Sequence, residues 1–579
     1  MGTISDKLMR IINTKEDIRQ ALISKGYDVP TSIPFKEYAK MILDLPCKVD
    51  SFPDIEGIVA RYSASGLTNE QMAANPVWVD KTGNGHDLQL KNFAWKGMSG
   101  VGGYVADIDE WSTNSTAAYF ERNSIKITAT FKENVSLGLL YHNIKLRQSC
   151  VLKVTGIPEG CDAFLDDRLG NRFYMSEDGV YEIIPSNFLA EALYFSIEKY
   201  PERWYGSKLT IEQLPLYPGA LVFDGVDDWA GCDNLPLLPK EKGYSIIALR
   251  NWITRYDATQ YKRPLISNLG TNDEGAFLIE YRKDENVNDV TGSYNSFTDV
   301  YIDDNNPITW QTSSSYNGQI IKKGTSKSTN KLSICKTYFG QLSNYANAAI
   351  WEIVILDHDA TEEELTKIKD YFVKTYPWLF PDQAWTVTGK TNEDEDRATI
   401  ANITGNGNDL VLSNFGFAGG SGYNEEGEYA GYLVTDGVDD KIISSIFEMG
   451  NDWTVIGDWE LINTGKNDNA GIVKFDSIVI YNYNYNSVLI NIKNGRNILI
   501  PDQNTVNAIC SDGRIYSKDW KESIYNEETE STSKNFLTIG YSGNAYTKIA
   551  FKNLAIYPTV LSREDCIKAY NYLQTLKAK

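Results

Sequence analysis

At 579 residues the chain exceeds what one hydrophobic core supports, so three or four domains are expected. Hydrophobic residues at 42% and charged ones at 23% describe a globular chain with a packed interior and exclude a wholly disordered one. A formal net charge of −21 argues against nucleic acid as a partner, because a phosphate backbone needs a basic surface, and it disfavours anionic membranes.

Residues 1–50 differ from everything after them. Ile11, Ile18 and Leu22 fall near helical spacing, Thr14 can cap the segment and Gly26 suits its end. Ser32 then caps a second short helix with Pro34 in its first turn and Phe35 and Tyr38 along one side. This stretch carries a net charge of +1, so the remaining chain carries −22. Two short helices cannot bury enough apolar surface to stand alone and need a partner.

From Pro53 onward the chain repeats itself. Thr82-Gly83-Asn84-Gly85-His86-Asp87-Leu88 returns as Thr404-Gly405-Asn406-Gly407-Asn408-Asp409-Leu410, and Asp224-Gly225-Val226-Asp227-Asp228 returns as Asp436-Gly437-Val438-Asp439-Asp440. An apolar run precedes each pentapeptide and a strand-like run follows, so Asp-Gly marks a tight connection between strands. Its aspartates are turn-formers first and a cation site only second. About 140 residues separate turn from pentapeptide in the first copy and about 30 in the second, so an insert falls near 112–217. Period-two alternation in Ser124–Phe131 and Val151–Val154, with a closing Lys208–Glu212 strand, makes that insert a small β-sandwich. Each copy ends in a strand and a capped amphipathic helix: Thr361 with Glu364 forms a capping box, and Ser562 with Asp565 a weaker one. Tyr376–Pro381, with two prolines between aromatics, reads as a stiff, packed linker. The predicted domains are 1–50, a first sandwich over 51–111 plus 218–380, the insert 112–217, and a second sandwich over 381–579.

With these motifs in place, the chain resembles the laminin-G, concanavalin A-like lectin domain over most of residues 51–579. That resemblance implies a mainly β protein of two concanavalin A-like jelly-roll sandwiches, joined here by the inserted small β-sandwich and the short N-terminal helical segment. It also implies glycan or protein binding. The wording from Ile11 to Tyr38 resembles the N-terminal segment of bacteriophage tail-fibre, head-fibre and other virion-appendage proteins, including those of phages infecting gut Bacteroides. This second resemblance implies a virion-surface protein made in the host cytoplasm. Ile11, Ile18, Leu22, Phe35 and Tyr38 would attach it to other virion proteins, and a host surface glycan or receptor would be its outward partner. A homo-oligomer is expected, a trimer by analogy with phage fibres. The alternatives are a bacterial surface or secreted glycan-binding protein and, behind it, a polysaccharide-degrading enzyme.

Catalysis has little material. Hydrolases of the wider fold carry Glu-x-Asp-x-Glu on a strand, and the nearest stretch, Ala106-Asp107-Ile108-Asp109-Glu110, lacks the first glutamate. His86, His142 and His358 are dispersed, and the seven cysteines form no Cys-x-x-Cys pair, so no nucleophile-base pair, zinc site or disulfide framework is indicated. No cofactor is expected, and calcium has no support beyond the paired aspartates. No apolar run reaches membrane-spanning length, and no basic region precedes a hydrophobic signal core; neither membrane insertion nor a secretion signal is expected. For glycan contact the sequence offers Tyr481-Asn482-Tyr483-Asn484-Tyr485-Asn486, read as one strand with tyrosines on one face and asparagines on the other. Tyr481, Tyr483, Asn484 and Tyr485 are its candidate contacts.

Overall fold

The computed structural model describes residues 52–578, except for internal segments of which the longest are 109–117, 133–149, 184–193, 254–261, 283–305, 337–344, 463–470 and 525–536. The attachment residues Ile11, Ile18, Leu22, Phe35 and Tyr38 lie outside the described residues. What is described is mainly β, built from antiparallel sheets with few helices.

Each of the two copies is a pair of facing sheets. In the first, an eight-stranded sheet centred on Ser245–Trp252 and Asn347–Leu356 faces a six-stranded sheet containing Lys262–Asn272, Ser328–Ile334 and Trp229–Cys232. Trp78, Phe223, Ile246 and Ile353 fill the space between them. In the second, an eight-stranded sheet centred on Thr454–Leu461 and Ile549–Tyr557 faces another of eight strands, with Trp385, Leu410, Ile442 and Phe551 between.

The central strands are buried on both faces because both faces are covered. All eight residues of Ser245–Trp252 are buried. Ile246 and Ala248 join the inner core, while the outer side of the sheet carries the closing helix Glu362–Thr375, whose Tyr371 reaches strand residues Arg61 and Glu352. A β-bulge at the same place in both sandwiches decides what the outer side presents. Leu249 pairs with Glu352 but Arg250 pairs with Ile350, and correspondingly Asp458 pairs with Asn553 but Trp459 with Phe551. The extra residue sends two successive side chains outward, Trp351 with Glu352 in one copy and Lys552 with Asn553 in the other.

Between Ala118 and Gln213 the chain builds a five-stranded and a three-stranded sheet around their own core, where Phe131 meets Trp204 edge-on at 5.1 Å. The capping box at Thr361 and Glu364 is present in full. The helix Arg563–Leu573 starts at Ser562, whose Oγ accepts from Asp565 N at 3.1 Å. That second helix also meets the first sandwich, where Tyr572 packs edge-on against Trp351, and the end of the insert, where Asn571 Nδ2 donates to Pro215 O at 3.3 Å. The linker is packed as its aromatics predict, with Tyr376, Trp378 and Leu379 buried and Tyr557 Oη donating to Trp378 O at 3.1 Å.

Candidate functional site

The repeated pentapeptide is the corner where the chain crosses from one sheet to the other. Leu221–Asp224 and Trp229–Cys232 belong to opposite sheets, as do Leu433–Val434 and Lys441–Ser444. Gly225 and Gly437 both sit at φ +76°, a conformation that needs glycine. Asp224 Oδ1 accepts from Val226 N at 2.7 Å, and Asp228 Oδ2 from Asp224 N at 3.1 Å. The second corner repeats both bonds at 2.7 Å through Asp436 and Asp440. Asn92 and Asn414 then fasten the two corners, each donating Nδ2 to the carbonyl of Asp227 or Asp439 at 3.0 Å.

Burial pushes the inner carboxyl of each corner up, Asp228 to about 7 and Asp440 to about 6. Burial leads in both and is deeper at Asp228; a serine opposes it in each, Ser99 at Asp228 and Ser421, whose Oγ donates to Asp440 Oδ1 at 3.1 Å. Three carboxylates in each corner approach one another within 4.8 Å. Several of their oxygens are already committed to main-chain amides, so the corner is built as a turn, and acidic clustering alone assigns no cation to it.

The Thr-Gly-Asn-Gly turn is likewise architectural. Asp80 Oδ1 accepts from Thr82 N at 3.0 Å and Asp87 Oδ1 from Asp80 N at 2.8 Å. Asn402 with Thr404, and Asp409 with Asn402, repeat these bonds at the same distances. The carbonyl of His86 accepts from Tyr62 Oη, and that of its counterpart Asn408 from Trp385 Nε1.

The aromatic-amide run is not one strand. One strand is Ile478–Tyr483 and the next begins at Ser487, antiparallel to it, with Tyr483 opposite Ser487. Asn484 and Tyr485 fall between them, outside the described residues. Alternation over six residues cannot distinguish a straight strand from two strand ends with a reversal between them.

A site that the sequence does not announce lies between the two sandwiches. It is a cleft of about 480 Å³ lined by Asn306 and Trp310 of the first sandwich, Lys369 of its closing helix, Phe380 and Asp382 at the linker, and Asn406 in the repeated turn of the second. Asn306 and Asn406 are exposed, Trp310 and Phe380 half-buried. Asn306 Oδ1 accepts from Ile308 N at 3.0 Å, and Asn406 Nδ2 donates to Asp382 O at 2.7 Å. Asn406, as part of the repeat, and Phe380, within the linker motif, carry a sequence signal; the others meet them through topology alone. Among the described histidines, half-buried His358 is engaged by Asp357 and Glu364 at 3.2 Å, and the Arg61, Glu352 and Tyr371 cluster is buried beneath a helix.

No family model and no curated protein matches this chain. Among solved structures, Trypanosoma rangeli sialidase in complex with sialic acid aligns at 9% identity and a TM-score of 0.25, covering 79% of this chain and 84% of that one. The botulinum neurotoxin serotype G binding domain aligns at 11% identity and 0.21, covering 59% and 94%. Likeness at these scores carries no functional argument.

Proposed function

We propose that this chain is a structural appendage protein of a bacteriophage virion, attached through residues 1–50 and presenting its lectin-like sandwiches to a glycan or receptor on the host surface. The observation that carries the binding half is the tandem of two sandwiches whose repeated motifs are spent on turns and corners, while an open, mixed polar and aromatic cleft lies between them. The attachment half rests on the charge break at residue 50 and on the resemblance of the Ile11–Tyr38 wording to virion-appendage segments. In this reading the protein binds and does not cleave, because the wider fold's strand of paired glutamates has no counterpart in the sequence.

The test is deletion of residues 1–50. The truncated protein is expected to stay folded and monodisperse but to disappear from purified particles examined by mass spectrometry. Incorporation at normal copy number would overturn the attachment role. Light scattering of the full chain at micromolar concentration checks the expected homo-oligomer, which a monomer mass would remove.

A further inference from the structure

We propose that the cleft between the two sandwiches is a binding site for a neutral oligosaccharide. This rests on the glycan-binding reading above and specifies where, and by which groups, the sugar is held. The volume of about 480 Å³ suits a small ligand, since such sites span roughly 300–1,000 Å³.

Two carboxamides make the case for a hydroxylated ligand. Asn306 is pinned at its oxygen by Ile308 N, and Nδ2 is engaged by no described residue. Asn406 is pinned at its nitrogen by Asp382 O, and Oδ1 is engaged by none. Neither amide can turn over without breaking its main-chain bond, so the cleft offers one fixed donor and one fixed acceptor. A sugar hydroxyl both gives and takes a hydrogen bond, and two such groups set in advance lose little freedom when it arrives. A wholly apolar ligand would strip water from both amides and return nothing.

The rings supply the other half. Trp310 lies opposite Ile247 in the ladder, and Ile247 is absent from the inner core that takes Ile246 and Ala248, so Trp310 stands on the outer face of the sheet. With Phe380 it gives the cleft aromatic surface for the C–H face of a sugar ring. Charge narrows the class further. Lys369 is set against Glu362 and Asp382 in the lining, a balance that does not favour a sialylated, uronic or phosphorylated ligand, and the whole chain at −21 disfavours it again.

The experiment is a glycan array of neutral and acidic oligosaccharides probed with the full chain, followed by Asn306→Asp and Trp310→Leu. Asn306→Asp keeps an oxygen to cap Ile308 N and replaces the free donor by a second carboxylate oxygen and a negative charge. It is expected to weaken binding of the best neutral glycan roughly tenfold with melting unchanged, and Trp310→Leu at least as much. Wild-type hydrogen exchange with that glycan, independent of any variant's folding, is expected to protect residues 306–310 and 403–406. A glycan that binds wild type and both variants equally, or that protects only other segments, overturns the cleft and leaves the glycan-binding reading standing. Binding confined to acidic glycans overturns the ligand class. An array with no bound glycan at all overturns both.

Discussion

The two sandwiches keep the same corner, the same bulge and the same closing helix, yet differ in what lies under the helix. In the first, Glu352 on the outward side of the bulge meets Arg61 at 3.3 Å and accepts from Tyr376 Oη at 2.8 Å and Tyr371 Oη at 3.3 Å. In the second, the residue in Glu352's place is Asn553, fully buried, with neither side-chain polar atom hydrogen-bonded to a described residue. The carboxylate has moved across the ladder to Asp458, where Tyr432 Oη, Gln574 Nε2 and Lys552 Nζ meet it at 3.0, 3.1 and 3.6 Å. Features demanded by the main chain recur with the same or a closely similar residue, as Asp80 and Asn402 do, because a turn amide accepts few substitutes. Features made between side chains drift, because many pairs satisfy the same buried place.

The largest expected effect tests that distinction. Glu352→Ala removes the carboxylate that faces the Arg61 guanidinium, whose side chain is 5% exposed, and breaking a buried pair from one side costs about 3–5 kcal/mol. Asp458→Ala is milder, about 1–2 kcal/mol, because Lys552 at 17% exposure can turn to water. Urea unfolding of both variants measures the order. Equal losses would mean that the two clusters are equivalent despite their different carriers.

The corners are expected to behave alike where the clusters do not. Asp224→Ala and Asp436→Ala each remove the acceptor of the turn amides and cost about 1–3 kcal/mol, matched within about 0.5 kcal/mol. A pH series separates them further. The folded-state values of Asp228, about 7, and Asp440, about 6, lie above the ordinary 3.8, so the folded protein holds these protons more tightly. The stability this gives is complete below about pH 4 and is lost as pH rises, through about 7 for Asp228 and about 6 for Asp440. Asp228→Asn is therefore expected to flatten the decline between these limits more than Asp440→Asn does. A decline unchanged by both substitutions would show that neither carboxyl is held protonated.

Legibility in the sequence divides along the same line. The repeated turn, the corner, both caps and the packed linker can be read because each is a local demand on consecutive residues. The continuous apolar run Ile353–Leu356 likewise declares a strand covered on both faces. Glu352 cannot be matched with Arg61, 291 positions earlier, by any local pattern, and the bulge that turns Glu352 outward leaves no composition signal. Tyr481–Asn486 reads wrongly as one strand because its alternation continues through the end of one strand towards the start of the next. The cleft is invisible for a related reason: Asn306 and Asn406 become neighbours only when the second sandwich is set against the first.

The smallest effect concerns the helix starts, which differ in a way that only pH exposes. Thr361→Ala and Ser562→Ala each remove an acceptor for an N-terminal amide and are expected to cost about 1 kcal/mol apiece. Their acidic partners are less alike. Glu364 accepts from Thr361 N at 2.8 Å and also meets His358 Nε2 at 3.2 Å, whereas Asp565 accepts from Ser562 Oγ at 2.7 Å and meets Lys568 at 3.3 Å. Burial alone would lower His358, but its bonds to Asp357 and Glu364 outweigh that and raise it. A raised histidine contributes stability that is complete below its ordinary 6.5 and fades as pH climbs through the higher folded value. The cost of Glu364→Ala is therefore expected to be greater near about pH 6 than near about pH 8.5, by a few tenths of a kcal/mol. Asp565→Ala should cost the same at both, since its partners Ser562 and Lys568 include no histidine. Thermal melting of the two variants at both values decides it, and a pH-independent Glu364→Ala would mean that the first cap works without its histidine.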